Sequence, residues 1–143
     1  MIRPGTARDA PRNLEIWRSA VAATHDFLPP PDLARIDAMV ADWLSAARPW
    51  VWVDQSDSPV GFMALTGAHV DALFVDPARH GSGVGRALIA HARALHGPLT
   101  VDVNEQNPLA VGFYERLGFE RTGRSPTDDQ GMPYPLLHLT WRT

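Results

Sequence analysis

Between Asp76 and Arg86 the chain reads Asp-Pro-Ala-Arg-His-Gly-Ser-Gly-Val-Gly-Arg, and its three alternating glycines are the residues most suited to binding chemistry. Gly81, Gly83 and Gly85 permit positive φ and let an oxygen atom approach successive main-chain N–H groups. Helical periodicity follows, with Ala87, Leu88, His91 and Leu95 toward one side, so the turn opens onto a helix N-terminus. The free amides and partial positive charge there suit a diphosphate. Arg79 and Arg86 add charge beside the turn. The bland alternative is a glycine turn that only reverses the chain; the strand before it and the helix after it favour the anion site.

Several other chemistries are excluded or weakened. A Walker A loop needs a Gly-Lys-Ser/Thr ending, and none is present. A dinucleotide-binding turn stays open as a rival, because Asp102 lies near the end of the next strand, where a ribose-binding acid belongs. Against it, five residues separate the glycines from the preceding strand, and only one strand–helix–strand unit is available. The six histidines show no His-Glu-x-x-His or related spacing, so a metal site is not expected. Ser82 lacks the flanks of a nucleophile elbow. The absence of cysteine removes disulfides, thiolate zinc sites and a covalent intermediate on sulfur.

The elements that must hold this turn follow from periodicity and breakers. Ile2–Arg3 reads as a short strand. Leu14, Trp17, Val21 and Thr24 recur at helical steps, and Pro29–Pro30–Pro31 stops that helix. Asp32 is then expected to cap a second helix whose inner stripe is Leu33, Ile36, Val40 and Trp43. Trp50–Val53, Val60–Leu65 and His69–Val75 are β-rich runs. His96–Gly97–Pro98 ends the third helix, and Leu99–Val103 is the next strand. Pro108 and Gly118 bracket a fourth helix ending at Leu117. Phe119–Arg124 and Tyr134–Trp141 close the chain around the polar loop Ser125–Pro133. The expected class is α/β, one domain over residues 1–143, ordered β-α-α-β-β-β-α-β-α-β-β, with a mixed, mostly antiparallel sheet.

With these elements in place, Val75–Leu88 resembles the pyrophosphate loop of the GNAT family of acetyl-CoA-dependent N-acetyltransferases, Arg/Gln-x-x-Gly-x-Gly/Ala. The block Asn104–Phe119 is similar to that family's second conserved region, at the right distance. The stretches Thr24–Leu28, Asp71–Phe74 and Pro133–Leu137 look like one bacterial member. The resemblance implies a GNAT-like sheet whose central parallel strands splay apart, with acetyl-CoA between His69–Val75 and Leu99–Val103. Backbone groups of Leu73, Phe74 and Val75 would pair with the pantetheine arm. The Leu73 N–H would stabilise the oxyanion. The backbone from Gly81 through Ser82, Gly83, Val84 and Gly85 to Arg86 would hold the diphosphate, with Asn107 on the coenzyme arm. Tyr114 would protonate the leaving thiolate. His80, after Arg79, occupies the place usually held by Arg or Gln.

The acceptor side is less defined. A lysine-like amine has a pKa of ~10.4, so deprotonating it at pH 7 costs roughly 4.6 kcal/mol. The family often places a glutamate base where this chain has His69, and histidine titrates near neutrality. Strand alternation predicts His69, Asp71, Leu73 and Val75 on one face. His25 and Asp26 lie where the family builds its acceptor site, and Asp128 and Asp129 could attract a cationic amine. Glu105 is a weaker base candidate. Each has an ordinary reading too: Tyr114 as a packed aromatic beside Phe113, His69 as a strand-start histidine, and the aspartates as turn residues.

Composition sets the outer limits. A net charge of −3 on 143 residues, without a basic block, argues against nucleic acid as a partner. No signal-like N-terminus or long apolar run is present, so a cytoplasmic enzyme away from membranes is expected. All 13 basic residues are arginine, which leaves no lysine side chain for self-acetylation. The expected function is transfer of an acetyl group to a primary amine of a small molecule or protein, by direct attack in a ternary complex. The rival is a non-catalytic acyl-CoA-binding domain. Acetyl-CoA is the expected cosubstrate, without a metal, and the state a monomer or homodimer.

Overall fold

The period-two runs pair into one sheet, as half-buried strands must. In the computed structural model, which describes residues 1–24 and 27–142, the strands are β1 (Ile2–Arg3), β2 (Trp50–Val53), β3 (Pro59–Thr66), β4 (His69–Val75), β5 (Leu99–Asn104), β6 (Glu120–Ser125) and β7 (Leu136–Trp141). Their spatial order is β1-β2-β3-β4-β5-β7-β6. Every neighbouring pair is antiparallel except β4 and β5. Four helices complete the chain: α1 (Ala10–Thr24), α2 (Pro30–Ala47), α3 (Val84–His96) and α4 (Pro108–Leu117).

Adjacent residues of β3 point to opposite faces and seed two cores. Phe62 packs with Ile16, Trp17 and Val21 of α1 and Leu44 of α2. Met63 packs with Leu88 and Ile89 of α3 and Tyr114 of α4. Phe62 and Met63 are both fully buried, and each such side chain contributes roughly 1.5–3 kcal/mol of burial.

Several local expectations change. Pro29, not Asp32, is the N-cap of α2, and Pro30 begins the helix. First-turn amides have no intrahelical acceptor, so proline costs nothing there. Asp32 therefore lies one turn in, where its carboxylate accepts a hydrogen bond from the Tyr134 hydroxyl. The inner stripe of α2 holds at Leu33, Ile36 and Val40, which pack on the core, but ends on buried Leu44 and not on Trp43, which is 37% exposed. In α1, Trp17 and Val21 are buried as expected, and Ile16, outside the expected stripe, is buried with them. In α3 the stripe is Val84, Leu88, Ile89 and Ala92, which leaves Leu95 exposed.

Two irregularities shape the centre. β4 and β5 pair only at His69↔Thr100 and Val70↔Val101, then part. Against β3, Leu65 faces Val70 and Ala64 faces Ala72, so Asp71 is an extra residue in a bulge. That bulge breaks the expected alternation. Leu73 and Val75 pack on the α3–α4 side with Val70, and His69, one residue before Val70, turns to the opposite face.

Candidate active site

Where β4 and β5 separate, a cleft of about 620 Å³ opens, lined by Leu73, Phe74 and Val75 of β4 and by Asn107, Phe113 and Tyr114 of the α4 region. Ala20 and Thr24 of α1 also line it. Because α1 and α4 pack on opposite faces of the sheet, the cleft passes between the two parted strands. A long ligand can therefore enter from one face while a second reactant approaches from the other.

The glycine turn closes one end. Arg79, His80, Gly81 and Gly83–Arg86 line the cleft. Gly81 and Gly83 have φ of 80° and 86°, conformations that a Cβ disfavours, and open space surrounds both. The first ladder bond of α3 runs from the Ala87 N–H to the Gly83 carbonyl at 2.9 Å. The amides of Val84, Gly85 and Arg86 precede it and are the helix's available donors. Free amides at a helix N-terminus beside left-handed glycines are a main-chain arrangement able to hold an anion such as a diphosphate. Ser82 does not line the cleft: its hydroxyl is bonded to the Arg79 carbonyl. Gly85 serves packing, since a Cβ there would lie 3.1 Å from Phe113 Cζ.

The start of the turn is anchored from a distance. The Asp76 side chain accepts from the Ala78 N–H at 3.0 Å, and Arg12 Nη2 donates to its other oxygen at 2.7 Å. Arg12 Nε also donates to the Pro59 carbonyl at 3.0 Å. These donors hold the Asp76 carboxyl below the ordinary range, the Ala78 amide first.

Asn107 is buried, and its Oδ1 accepts from the Ala110 N–H at 3.2 Å, capping α4. The carboxamide nitrogen is the end left for a ligand. Tyr114 is held by rings of Phe113 and Phe119, with centroids at 5.1 and 5.2 Å. Burial pushes its hydroxyl pKa up, which keeps it a proton donor through neutral pH.

His69 lies on the α1–α2 side, outside the cleft lining. Its Nδ1 is 2.7 Å from Thr100 Oγ1, and its Nε2 is 3.7 Å from Asp102 Oδ2. Asp102 Oδ1 is 2.6 Å from His138 Nδ1, and His138 Nε2 is 2.7 Å from Ser125 Oγ. The link of His69 through Asp102 to His138 is absent from the sequence reading, which weighed Asp102 only as a ribose ligand. The period-two pattern of β5 separates Asp102 from Val101 and Val103, but only the Asp102↔His138 pairing joins the two residues.

The remaining candidates are dispersed. His25 and Asp26 lie outside the described residues. Asp71 is exposed at the bulge, 2.5 Å from Thr66 Oγ1. Asp128 accepts from the Gln130 and Met132 amides, each at 2.9 Å, and so shapes its own loop beside exposed Asp129. Glu105 is bonded to Arg124 at 2.5 Å, which lowers its pKa and makes it a poor base. Among the described residues no group of three or more His, Asp or Glu could hold a metal, and no helix is long and apolar enough to cross a membrane.

A family model described as an acetyltransferase (GNAT) domain matches residues 33–135. The chain is 50% identical over 140 residues to the peptidyl-lysine N-acetyltransferase YjaB of Salmonella typhimurium, covering 98% of this chain and 97% of that relative. The solution structure of apo-form YjaB from Escherichia coli superposes with a TM-score of 0.95 at 48% identity, over 99% of this chain and 96% of that one. A GCN5-related N-acetyltransferase from Rhodopseudomonas palustris superposes with a TM-score of 0.81 at 25% identity, over 100% and 95%.

Proposed function

The chain belongs to the GNAT family of N-acetyltransferases, and from that premise we propose that it carries the acetyl group of acetyl-CoA to the side-chain amine of lysine in a protein. The observation that carries the reading is the cleft between β4 and β5, closed at one end by the left-handed glycines and lined by Tyr114. The peptidyl-lysine acceptor is taken from the name of the Salmonella relative. A protein acceptor also fits a chain that has no lysine of its own to compete.

The roles divide by face. Amides of the turn and of the α3 N-terminus neutralise the diphosphate, with Arg79, His80 and Arg86 adjacent. Main-chain groups of Leu73, Phe74 and Val75 extend along the pantetheine arm as an added strand would, and Asn107 offers its NH2. The Leu73 N–H faces the thioester oxygen. On the α1–α2 side, His69 takes a proton from the ammonium group. The freed nitrogen attacks the carbonyl carbon, a C–N bond forms, the C–S bond breaks, and the nitrogen sheds its second proton to solvent as the amide forms. The thiolate receives its proton from the Tyr114 hydroxyl, which solvent then restores. With no cysteine to carry the acetyl group, attack is direct, in a complex of all three components.

The test combines calorimetry of acetyl-CoA binding with mass spectrometry of a lysine peptide incubated with acetyl-CoA and enzyme. The expected result is micromolar-range or tighter binding and a single added acetyl on the lysine side chain. Binding without turnover on any amine would assign a binding-only domain. No binding would remove the reading altogether.

A further inference from the structure

We propose that Asp102, fixed by His138 and facing His69, is the seat of the acceptor's positive charge, and that it selects alkylammonium acceptors over uncharged amines. The proposal rests on the transferase reading above.

Strand parity sets the place. Leu99, Val101 and Val103 of β5 turn into the α3–α4 core, which puts Thr100 and Asp102 on the opposite face. Asp102 lies one residue beyond Val101, the last β5 residue paired with β4. It therefore stands next to the point where the two strands part, on the α1–α2 face, just outside the cleft lining.

Its partners are distinctive. Asp9, Asp37, Asp76 and Glu105 each face an arginine, at 2.5 to 2.9 Å. Asp102 faces two imidazoles. The arginines nearest in sequence on β6 lie on the other side: Arg121 and Arg124 pair in register with Leu139 and Leu137, which point into the α3–α4 core, and they engage Glu115 and Glu105. Asp71 at the bulge and Glu120 opposite Thr140 add acidic groups to the same face. Asp102 is thus a partly exposed carboxylate whose ion-pair partners are imidazoles and not arginines.

The spacing is also selective. The Asp102 carboxylate can only accept, so His138 donates to Oδ1 from Nδ1 at 2.6 Å and fixes the carboxylate plane. In the neutral ring Nε2 accepts from the Ser125 hydroxyl at 2.7 Å. The other oxygen, Oδ2, stands 3.7 Å from His69 Nε2. That gap is wider than a hydrogen bond. His69 Nδ1 lies 2.7 Å from Thr100 Oγ1; in the tautomer that donates there, the one the proposal uses, the Nε2 lone pair faces the same opening. An ammonium nitrogen placed there donates to both atoms. It is held by a charge-assisted bond to Asp102 and hands one proton to His69 Nε2. Asp102 is the specificity residue and His138 a positioning residue.

The experiment compares two peptides that differ at one position, lysine or 4-aminophenylalanine, whose aryl amine is uncharged at neutral pH. For Asp102→Asn the expected loss in kcat/KM on the lysine peptide is about 30-fold, carried mainly by KM, as for one charge-assisted hydrogen bond. The loss on the aryl amine should be at least ten-fold smaller. Asp102→Glu should recover part of the preference, and His138→Ala should weaken it in the same direction. Equal losses on both peptides, or none, would overturn the proposal while leaving the transferase reading intact. A measurement on the unaltered protein covers variants that fail to fold. With coenzyme A bound, n-butylammonium should move the imidazole resonances of His69 and His138, and n-butanol should not; identical or absent shifts overturn the proposal. If neither peptide is acetylated although acetyl-CoA binds, the transferase reading fails, and the imidazole titration still decides whether Asp102 receives a cation.

Discussion

Arg12, in the first half of α1, holds Asp76, the residue that starts the glycine turn, at 2.7 Å across 64 positions of sequence. A residue with no expected ligand contact thereby anchors the start of the glycine turn where it leaves β4. Removing the guanidinium in Arg12→Ala should weaken acetyl-CoA binding about five-fold, the equivalent of ~1 kcal/mol for one charge-assisted bond at a partly exposed site. Calorimetry on the two proteins checks this, and an unchanged affinity would show that the turn is self-supporting.

Tyr114→Phe keeps the ring against Phe113 and Phe119 and deletes only the hydroxyl. The expected outcome is a fall in kcat of about 10²-fold, the ordinary contribution of a positioned general acid, with acetyl-CoA affinity retained. Steady-state rates and calorimetry separate the two quantities. Equal rates would remove Tyr114 as the acid.

Both tyrosines of the chain have raised pKa values, Tyr114 through burial and Tyr134 chiefly through its hydrogen bond to Asp32. The fold favours their neutral forms, so this contribution to stability is complete below the ordinary value of ~10 and is lost as pH rises above it. Ultraviolet titration should therefore show tyrosinate appearing above pH 10, later than in the urea-unfolded chain. Coincident curves would refute the burial argument.

Asp9 provides the complementary acid-side case. Its carboxyl is held below the ordinary range, first by Arg3 and then by the Thr6 amide, against the opposing effect of burial. A depressed folded pKa gives stability that is present above the unfolded value, near 4, and is lost as pH falls through the folded one. Asp9→Asn should cost about 2 kcal/mol at pH 7, and the gap from the parent should shrink in melts below pH 4.

Gly83 occupies the left-handed N-cap of α3 with φ 86°, and nothing lies within 4 Å of an added Cβ. Gly83→Ala should thus act through backbone strain alone, by ~1 kcal/mol or somewhat more, and should loosen the coenzyme as the turn relaxes. Thermal melts with and without acetyl-CoA measure both effects.

Much of this fold is legible because the signals are local. Pro108 and Gly118 delimit α4 by the chemistry of the two residues themselves, and the structure ends the helix there, with Gly118 at φ 118°. The glycine turn is readable for the same reason, since positive φ is a property of the residue. The α2 stripe is misread only at its last position, because Trp43 and Leu44 are both apolar. Only the helix's rotation on the sheet decides which is buried, and the larger side chain lost.

By itself the sequence determined the order of elements, the left-handed glycine turn and the placing of Tyr114 on a capped helix, all set by dihedral preference and short-range periodicity. The tertiary structure decided which side chains meet across strands. One extra residue at Asp71 inverts the parity of β4 and turns His69 away from the Leu73 face. The register between β5 and β7 brings Asp102 opposite His138. Strand pairing joins residues tens of positions apart, and a period-two pattern carries no record of its partner or its bulges, so that half of the site existed only once the sheet had formed.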